Sequence, residues 1–212
     1  MTKLPSASCV VKVGGGRGFI IERRIRIPAR RIHRKSYPAH VVRRRLVVTA
    51  AHCLPHLPPP HAGAHYYERT YGNLLSRLDS KKPNVLAECL FVDPVADIAV
   101  LGCPDENELY EEAEAYQALI DDAPALTIAK PRSGSGWLLS LSEPKWIPTS
   151  LNLLVSTYGV SLLSGPTESG MSGSPILNDR GKAVGVVVTG TAGPQPILTR
   201  NLPAGLLREV VA

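Results

Sequence analysis

The 212-residue sequence lacks several features that would place it in a special class of protein. It contains no apolar run of the roughly 18 residues that a membrane-spanning helix needs. Aromatic residues make up only 5% and charged residues 20%, while hydrophobic residues reach 44%, which is typical of a globular chain and excludes a disordered one. A chain of this length buries roughly 70% of its unfolded surface, so it can form one or two domains with a sizeable core.

Signals of secretion and of cysteine-based metal binding are also missing. No apolar stretch of about 7–15 residues follows Lys3, so we see no secretory signal peptide and expect a cytoplasmic location. The four cysteines form no C-x-x-C pair, which argues against a zinc ribbon or a thioredoxin motif. In a reducing compartment we expect buried free thiols, with two disulfides as the alternative. The cysteines are Cys9, Cys53, Cys89 and Cys103.

Acidic residues are almost absent from the first quarter of the sequence. Residues 1–56 hold 13 basic side chains and one acid, Glu22, whereas residues 57–212 hold 11 basic and 17 acidic side chains. Ten Lys and Arg residues lie between Arg23 and Arg45. We interpret this segment as a charged β-hairpin insertion, and the alternative is a docking surface for nucleic acid or an acidic protein. Only Tyr37 interleaves these bases, so base stacking is not indicated.

Short apolar runs, separated by turn residues, recur along the whole chain. Runs such as 41–49, 97–102 and 125–129 are rich in Val, Ile, Leu and Ala and predict an all-β barrel or sandwich. The glycine-rich segment 14–18 predicts a hairpin turn, because it lacks the Gly-Lys-Ser/Thr ending of a phosphate loop. A boundary near residue 122 would divide the chain into two comparable β units, residues 1–122 and 123–212.

Two segments predict helices. Residues 105–122 hold eight acids and no base, and Asp105 and Glu108 have the spacing of a capping box. Four residues recur at helical spacing and predict the buried face of this short acidic helix: Leu109, Ala113, Tyr116 and Ile120. A second short helix is expected at the C-terminal end, over residues 202–211.

Three segments each place one reactive side chain beside an apolar strand. They read T-A-A-H-C around His52, D-I-A-V-L from Asp97, and G-M-S-G-S-P around Ser172. A serine between glycines lies where the backbone turns tightly and can aim two N–H groups at one point, as an oxyanion hole requires. The hydroxyl needs a base to take its proton, and a histidine whose tautomer is fixed by a carboxylate suits that task.

The order His, Asp, Ser and the three motifs together resemble the trypsin/chymotrypsin-like serine peptidase family. This resemblance implies an all-β fold of two six-stranded antiparallel barrels, with the active site in the cleft between them. It implies that His52 is the general base and acid, that Asp97 orients it and that Ser172 is the nucleophile. The backbone N–H groups of Gly170 and Ser172 would form the oxyanion hole. Asp93 is a rival carboxylate, but only Asp97 has the D-I-A-V-L context of the family.

Two departures from the family concern its activation and its disulfides. Secreted members mature by a cut that frees a new amine, which pairs with an Asp immediately before the nucleophile. Met171 occupies that position here, so we expect no activation of this kind. Residues 16–22, G-R-G-F-I-I-E, resemble the opening of bacterial and organellar trypsin-like peptidases, including the high-temperature-requirement type, which also lack it. The cysteine that normally pairs with that of T-A-A-H-C has no counterpart, so we expect Cys53 to be unpaired.

The specificity pocket is also predicted from the resemblance. Its floor would come from Pro166 and Thr167, and its opposing wall from Val187, Val188 and Thr189. No Asp lies at the expected floor, so a preference for Lys or Arg is not supported, and a small or apolar partner side chain is expected. Thr167 matches a position used by bacterial glutamyl endopeptidases, but their pocket histidine would align with Val187, which weakens a preference for Glu.

The sequence thus predicts a trypsin-like serine endopeptidase that hydrolyses protein or peptide substrates through an acyl-enzyme, without a cofactor or metal. The first alternative is a latent module of peptidase fold that docks to nucleic acid or an acidic partner through the basic hairpin. A protein partner that controls activity is also open. The second alternative is a zinc site built from thiolate and imidazole ligands, although a Pro-rich loop fixes no tetrahedral geometry. Its ligands would come from His52, Cys53, His56, His61 and His65.

Overall fold

Six strands of the first half of the chain form a closed antiparallel barrel. The computed structural model describes residues 3–32, 35–60, 65–154, 159–162, 164, 167–188 and 193–207. Numbered along the chain, the barrel strands are β1 (Val10–Val13), β2 (Gly16–Ile27), β5 (His40–Ala50), β6 (Thr70–Arg77), β7 (Val85–Asp93) and β8 (Ile98–Gly102), in the spatial order β1-β2-β5-β8-β7-β6. Two short strands, β3 (Arg30–Ile32) and β4 (Lys35–Tyr37), pair with each other between β2 and β5.

A second six-stranded antiparallel sheet follows and is nearly closed. Its strands are β9 (Gly134–Leu139), β10 (Trp146–Leu154), β11 (Gly159–Leu162), β12 (Pro175–Asn178), β13 (Ala183–Val186) and β14 (Gln195–Pro196), in the order β13-β12-β9-β10-β11-β14. A bridge between Gly185 and Ile197 brings its two edges together. The predicted all-β fold of two six-stranded barrels is therefore confirmed, while the division into residues 1–122 and 123–212 stays a prediction.

Both faces of the central strands of the first barrel are apolar, and the structure shows why. Successive side chains of a strand point to opposite faces. Ile20 and Val47 point into the first barrel, whereas their neighbours Phe19 and Val48 join an apolar cluster shared with the second barrel. Since one face fills the barrel and the other meets its neighbour, these strands read as continuous apolar runs rather than as alternating ones.

Helices are few and short in the described chain. They are α1 (Tyr110–Ile120), α2 (Leu198–Asn201) and α3 (Ala204–Leu207), with 3-10 turns at Ala7–Cys9, Ala51–Cys53 and Tyr66–Arg69. The predicted buried face of the acidic helix is confirmed for Ala113, Tyr116 and Ile120. Its predicted start at Asp105 is wrong, because Asp105 accepts from the backbone N–H of Asn107 in a turn and the helix begins five residues later.

Other predicted elements differ from the structure at their ends. The predicted strand over 125–129 is wrong, because Leu126 and Ile128 form only isolated bridges, to Ile21 and Ala183. The hairpin turn between β1 and β2 is confirmed at Gly14, whose φ is 53°. The C-terminal helix is shorter than predicted within the described residues, because α2 ends before residue 202 and α3 covers only Ala204–Leu207. Residues 208–211 of that prediction lie outside the described chain.

No helix that the structure describes is long and apolar enough to cross a membrane. The cytoplasmic location stays a prediction.

Candidate active site

His52 lies immediately after β5, at the point where the chain leaves the first barrel. The strand ends in buried residues as far as Ala51, which is 3% exposed, and the side chain of His52 is then 47% exposed. A 3-10 turn over Ala51–Cys53 makes this change of direction. The local sequence thus anchors the strand in the core and presents one imidazole at the surface.

Asp97 ends the turn that leads into β8, and strand pairing brings it to His52. Ala50 pairs with Ile98, so the residues that flank this pair, Ala51 and Asp97, are adjacent. The backbone N–H of Ala51 donates to the Asp97 carbonyl at 3.1 Å. Asp97 has a φ of 55°, a left-handed conformation that Asp adopts more readily than most residues. The rival carboxylate, Asp93, instead closes the turn by accepting from the backbone N–H groups of Val95 and Ala96.

The carboxylate of Asp97 contacts His52 at two points. One oxygen lies 2.6 Å from Nδ1 of the imidazole, and the other accepts from the backbone N–H of His52 at 2.9 Å. An ionised carboxylate only accepts hydrogen bonds, so Nδ1 carries the proton and Nε2 of the neutral ring is left with a free lone pair. The pair therefore holds a base in the orientation and tautomer that proton transfer needs.

Ser172 lies in a tight turn that approaches the first barrel through backbone contacts. Its carbonyl accepts from the backbone N–H of Arg17 at 2.7 Å and from Sγ of Cys53 at 3.7 Å. Gly173 has a φ of 82°, and a Cβ there would lie 1.7 Å from the Arg17 carbonyl, so only glycine fits. Since Cys53 follows His52, the serine turn and the His52–Asp97 pair meet at the junction of the two barrels.

The backbone N–H groups of residues 170–174 divide into two sets. Those of Met171, Gly173 and Ser174 donate within the chain, to the carbonyls of Glu168, Val187 and Met171 at 3.0, 2.7 and 2.9 Å. Those of Gly170 and Ser172 donate to no group in the described part of the chain. Gly170 also has a φ of 95°, a left-handed conformation that glycine adopts readily. An oxyanion hole needs two such N–H groups, available to donate hydrogen bonds, in one turn.

No hydrogen bond joins Oγ of Ser172 to Nε2 of His52 among the described contacts. Catalytic hydrogen bonds are often long without a substrate and tighten when one binds. The structure thus brings the turn of Ser172 against Cys53, the residue after His52, while it describes no direct bond between the serine hydroxyl and the imidazole.

The guanidinium of Arg17 joins the two barrels beside this turn. It donates to the carbonyls of Leu139, Ser140 and Leu141 at 3.0, 3.0 and 3.3 Å, and the residue is only 6% exposed. Burial lowers the pKa of Arg17 from its ordinary value. The motifs of the sequence did not predict this role of Arg17, although a basic residue between two glycines inside an apolar run is an unusual signal.

Met171 occupies the position where secreted family members carry an Asp. Its side chain is 1% exposed and packs among the apolar residues of the second barrel. A buried thioether offers no charge to a chain-terminal amine. The expectation that this chain lacks amine-triggered activation therefore has a structural basis in the packing of Met171.

The predicted specificity pocket is only partly described. Thr167 has a buried Oγ1 without a hydrogen-bond partner, Val187 is 2% exposed, and Val188 is half-buried with its N–H donated to Gln195 Oε1. Pro166 and Thr189 lie outside the described residues. The described walls are apolar and carry no charged side chain, and the assignment of the pocket stays a prediction.

The ligands of the alternative zinc site have other partners. Sγ of Cys53 points to the Ser172 carbonyl, the ring of His56 meets that of Tyr71 at 5.0 Å, and His65 stacks on Tyr67 at 5.3 Å. His61 lies outside the described residues. No group of three or more His, Cys, Asp or Glu residues in the described chain is placed to hold a metal ion.

All four cysteines are free thiols, and three of them are buried. Cys103 is half-buried. Burial raises the pKa of Cys9 to about 12 and raises that of Cys53 as well. Cys53 is one of these free thiols, so the expectation that it is unpaired is confirmed. Gly16 packs closely against it, and a Cβ at Gly16 would come within 2.6 Å of Sγ.

The double barrel, with a His–Asp pair and a glycine-flanked serine at its junction, has the architecture of a trypsin-like domain. The chain belongs to the trypsin-like peptidase domain family, whose profile matches residues 39–186. The crystal structure of Deg5 is similar to it with a TM-score of 0.52 and 16% sequence identity, covering 92% of this chain and 86% of that one. A crystal structure of the Rv3671c protease in an inactive form aligns over 100% of both chains with 17% identity and a TM-score of 0.47. A comparison with curated proteins gives no match.

Proposed function

We propose that the protein is a serine endopeptidase that cleaves peptide bonds through an acyl-enzyme. The observation that carries the proposal is the meeting of the His52–Asp97 pair with a serine turn whose Gly170 and Ser172 N–H groups have no acceptor in the described chain. Family membership supports a hydrolase of protein substrates.

In this proposal the reaction proceeds in two halves. Oγ of Ser172 attacks the scissile carbonyl carbon while Nε2 of His52 takes its proton, and Asp97 stabilises the imidazolium that forms. The carbonyl oxygen becomes an oxyanion and accepts from the N–H groups of Gly170 and Ser172. His52 then protonates the leaving amine, which departs and leaves an ester on Ser172. In the second half, Nε2 of His52 takes a proton from a water molecule as its oxygen attacks this ester. His52 then gives that proton to Oγ of Ser172 as the ester bond breaks, and the acid product leaves.

Reaction with a fluorophosphonate probe tests the proposal directly. We expect the full-length chain to gain one probe adduct, and peptide mapping to place it on Ser172. The variant Ser172→Ala should lose the adduct, whereas the matched control Ser169→Ala, which alters an exposed serine of the same turn, should keep it. An unlabelled wild-type chain, or equal labelling of Ser172→Ala, would contradict the proposal.

A small or apolar side chain before the cleaved bond is the second part of the proposal. The apolar walls at Val187 and Val188, and the lack of a charged group among the described pocket residues, support it. The measurement is a comparison of p-nitroanilide peptides that end in Ala or Val with those that end in Lys, Arg or Glu. Faster cleavage after a charged residue would contradict this part and leave the hydrolytic mechanism intact.

A further inference from the structure

The outer parts of β2 and β5 form a two-stranded ribbon that extends beyond the first barrel. The register pairs residues 22–27 with residues 40–45. In the described sheet, β1 pairs with β2 only over 16–19 and β8 pairs with β5 only over 47–50, so neither outer edge of the ribbon has a strand neighbour. We call residues 22–27 and 40–45 the basic arm. A two-stranded ribbon outside a sheet is only marginally stable in water, so contact with a partner would stabilise it.

The basic arm has far more positive than negative charge. It carries six arginines and a single acid, Glu22, and the sequence has no Asp or Glu between Glu22 and Glu68. Glu22 is shared by Arg24 and Arg45, at 3.1 and 3.7 Å. Glu22, the single acid of the arm, therefore compensates charge only near the end of the arm that joins the barrel.

Like charges face each other across the ribbon in two successive pairs. Arg23 lies opposite Arg44, and Arg24 lies opposite Arg43. Cβ atoms of directly opposed residues are about 4.5–5.5 Å apart, and like charges there are destabilising. Glu106 compensates Arg44 at 3.6 Å, whereas Arg23 and Arg43 make no ion pair in the described chain. A bound anion would relieve this repulsion.

The geometry of the ribbon distinguishes between kinds of anion. Since successive residues of a strand point to opposite faces, the pair Arg23–Arg44 lies on one face and the pair Arg24–Arg43 on the other. The side chains of Arg24 and Arg44 are 55% and 54% exposed, so both faces are accessible. A flat lipid surface would contact one face only. A groove of duplex DNA has a phosphate backbone on each side, and its major groove, about 12 Å wide, admits a two-stranded ribbon.

We propose that the basic arm is a docking surface for double-stranded DNA, with the ribbon in the major groove and its arginines against the phosphates. The deep, narrow major groove of duplex RNA does not admit such a ribbon, so DNA is the expected partner. Phosphate contacts of this kind position a protein without reading the base sequence. The inference does not depend on the proposed hydrolysis, because no described hydrogen bond or ion pair joins an arm residue to His52, Asp97 or Ser172.

Fluorescence anisotropy with the full-length chain and a labelled duplex of about 24 base pairs measures this binding. If the four arginines of the two opposed pairs contact phosphates, the logarithm of the affinity should fall with the logarithm of salt concentration with a slope of about −4. The affinity should accordingly drop roughly 10²-fold between about 50 and 200 mM salt. Absent or salt-independent binding at the lower concentration would overturn the proposal.

The double variant Arg23→Gln/Arg43→Gln removes the two arginines of the opposed pairs that make no ion pair in the described chain, and Lys81→Gln/Lys82→Gln is its matched control. Both variants lose two positive charges, but the lysines lie exposed in the turn between β6 and β7. We expect the arm variant to flatten the salt slope by about 2 and the control to leave it unchanged. Equal effects of the two variants would reduce the binding to net charge and overturn the proposal. Unchanged thermal unfolding and Ser172 labelling in the arm variant show that it is folded.

Three further outcomes would assign the arm to another partner. Arm-dependent binding to phosphatidylserine vesicles that is tighter than binding to the duplex would indicate a membrane surface. Equal affinity for single-stranded DNA would remove the role of the groove. Arm-dependent self-association without DNA binding would indicate a second copy of the chain. Each of these results would overturn the proposal. Arm-dependent binding to duplex DNA that is tighter than binding to vesicles, to single-stranded DNA and to a second copy of the chain would support it.

Discussion

Replacement of Arg17 by methionine tests how the two barrels are held together at the serine turn. Methionine has a similar reach but no donor, so Arg17→Met removes the three hydrogen bonds to the carbonyls of Leu139, Ser140 and Leu141. It leaves the backbone N–H that donates to Ser172 in place. The variant therefore separates the guanidinium contact from the backbone contact.

The expected loss of stability follows from the burial of the three carbonyls. Only the bond to Leu139 is fully buried, and leaving its carbonyl without a donor costs about 1–3 kcal/mol. Water can replace the donor at the two part-buried carbonyls, where each bond contributes about 0.5–1.5 kcal/mol. Removing a buried charge offsets part of this cost. We expect a loss of about 3 kcal/mol, which lowers the melting temperature by about 6–12 °C in a chain of this length.

Thermal unfolding followed by circular dichroism measures this loss, and Arg77→Met is the control. Arg77 is exposed, and its side chain makes no hydrogen bond or ion pair in the described chain, so its replacement should change stability by less than about 0.5 kcal/mol. Because β2 also holds the Ser172 carbonyl, we expect fluorophosphonate labelling of Arg17→Met to slow at least tenfold below its melting temperature. Equal melting of the two variants, together with unchanged labelling, would refute the reasoning.

Three other changes give distinct readouts. Gly173→Ala should lower the free energy of unfolding by more than about 3 kcal/mol, because its Cβ would lie 1.7 Å from a backbone carbonyl oxygen at a φ of 82°. The control Gly15→Ala, whose Cβ would have no atom within 4 Å, should change it by less than about 0.5 kcal/mol. Equal losses in thermal unfolding would argue against the close approach at Gly173. Asp97→Asn keeps the shape but favours the wrong imidazole tautomer, so peptide cleavage should fall by about 10⁴-fold, and a loss below tenfold would contradict the role of the carboxylate. Burial raises the pKa of Cys9 and of Cys53, so at about pH 8 these thiols should stay neutral and unreactive towards Ellman's reagent in the native chain. Cys103 should react first because it is only half-buried, and all four thiols should react in denaturant. Fast native reaction of Cys53 would contradict its burial.

The all-β fold could be predicted because its determinants are local. Apolar runs between glycines, prolines and charged residues mark most strands, and Gly14 marks the first hairpin turn. The strand expected over 125–129 is not formed, because an apolar run predicts that a segment is buried but not that a neighbouring strand has a free edge to pair with it. Asp105 and Glu108 have the spacing of a capping box, yet the carboxylate of Asp105 accepts from the N–H of Asn107 in a turn. Sequence spacing alone does not show which of two competing local hydrogen bonds a carboxylate forms.

The candidate site was predictable to a similar extent. The pairing of His52 with Asp97 follows the motifs, and the structure adds the strand register that makes them neighbours. The choice between Asp93 and Asp97 rested on the resemblance, and the structure gives the physical reason: the first closes the turn and the second follows it. Arg17 was missed because its three acceptors lie more than 120 residues away along the chain.

The sequence by itself determined most strands, the candidate site motifs and the uneven charge, because each depends on residue type and short-range order. Only the tertiary structure decided which groups are left without partners. The N–H groups of Gly170 and Ser172 are free because those of their neighbours are donated within the chain, and the buried Arg17 holds the serine turn because two barrels meet there. The basic segment became a projecting ribbon because its strands outrun their neighbours in the barrel. The burial of Arg17 and its contacts across more than 120 residues are properties of the folded chain, and no local motif of this sequence predicts them.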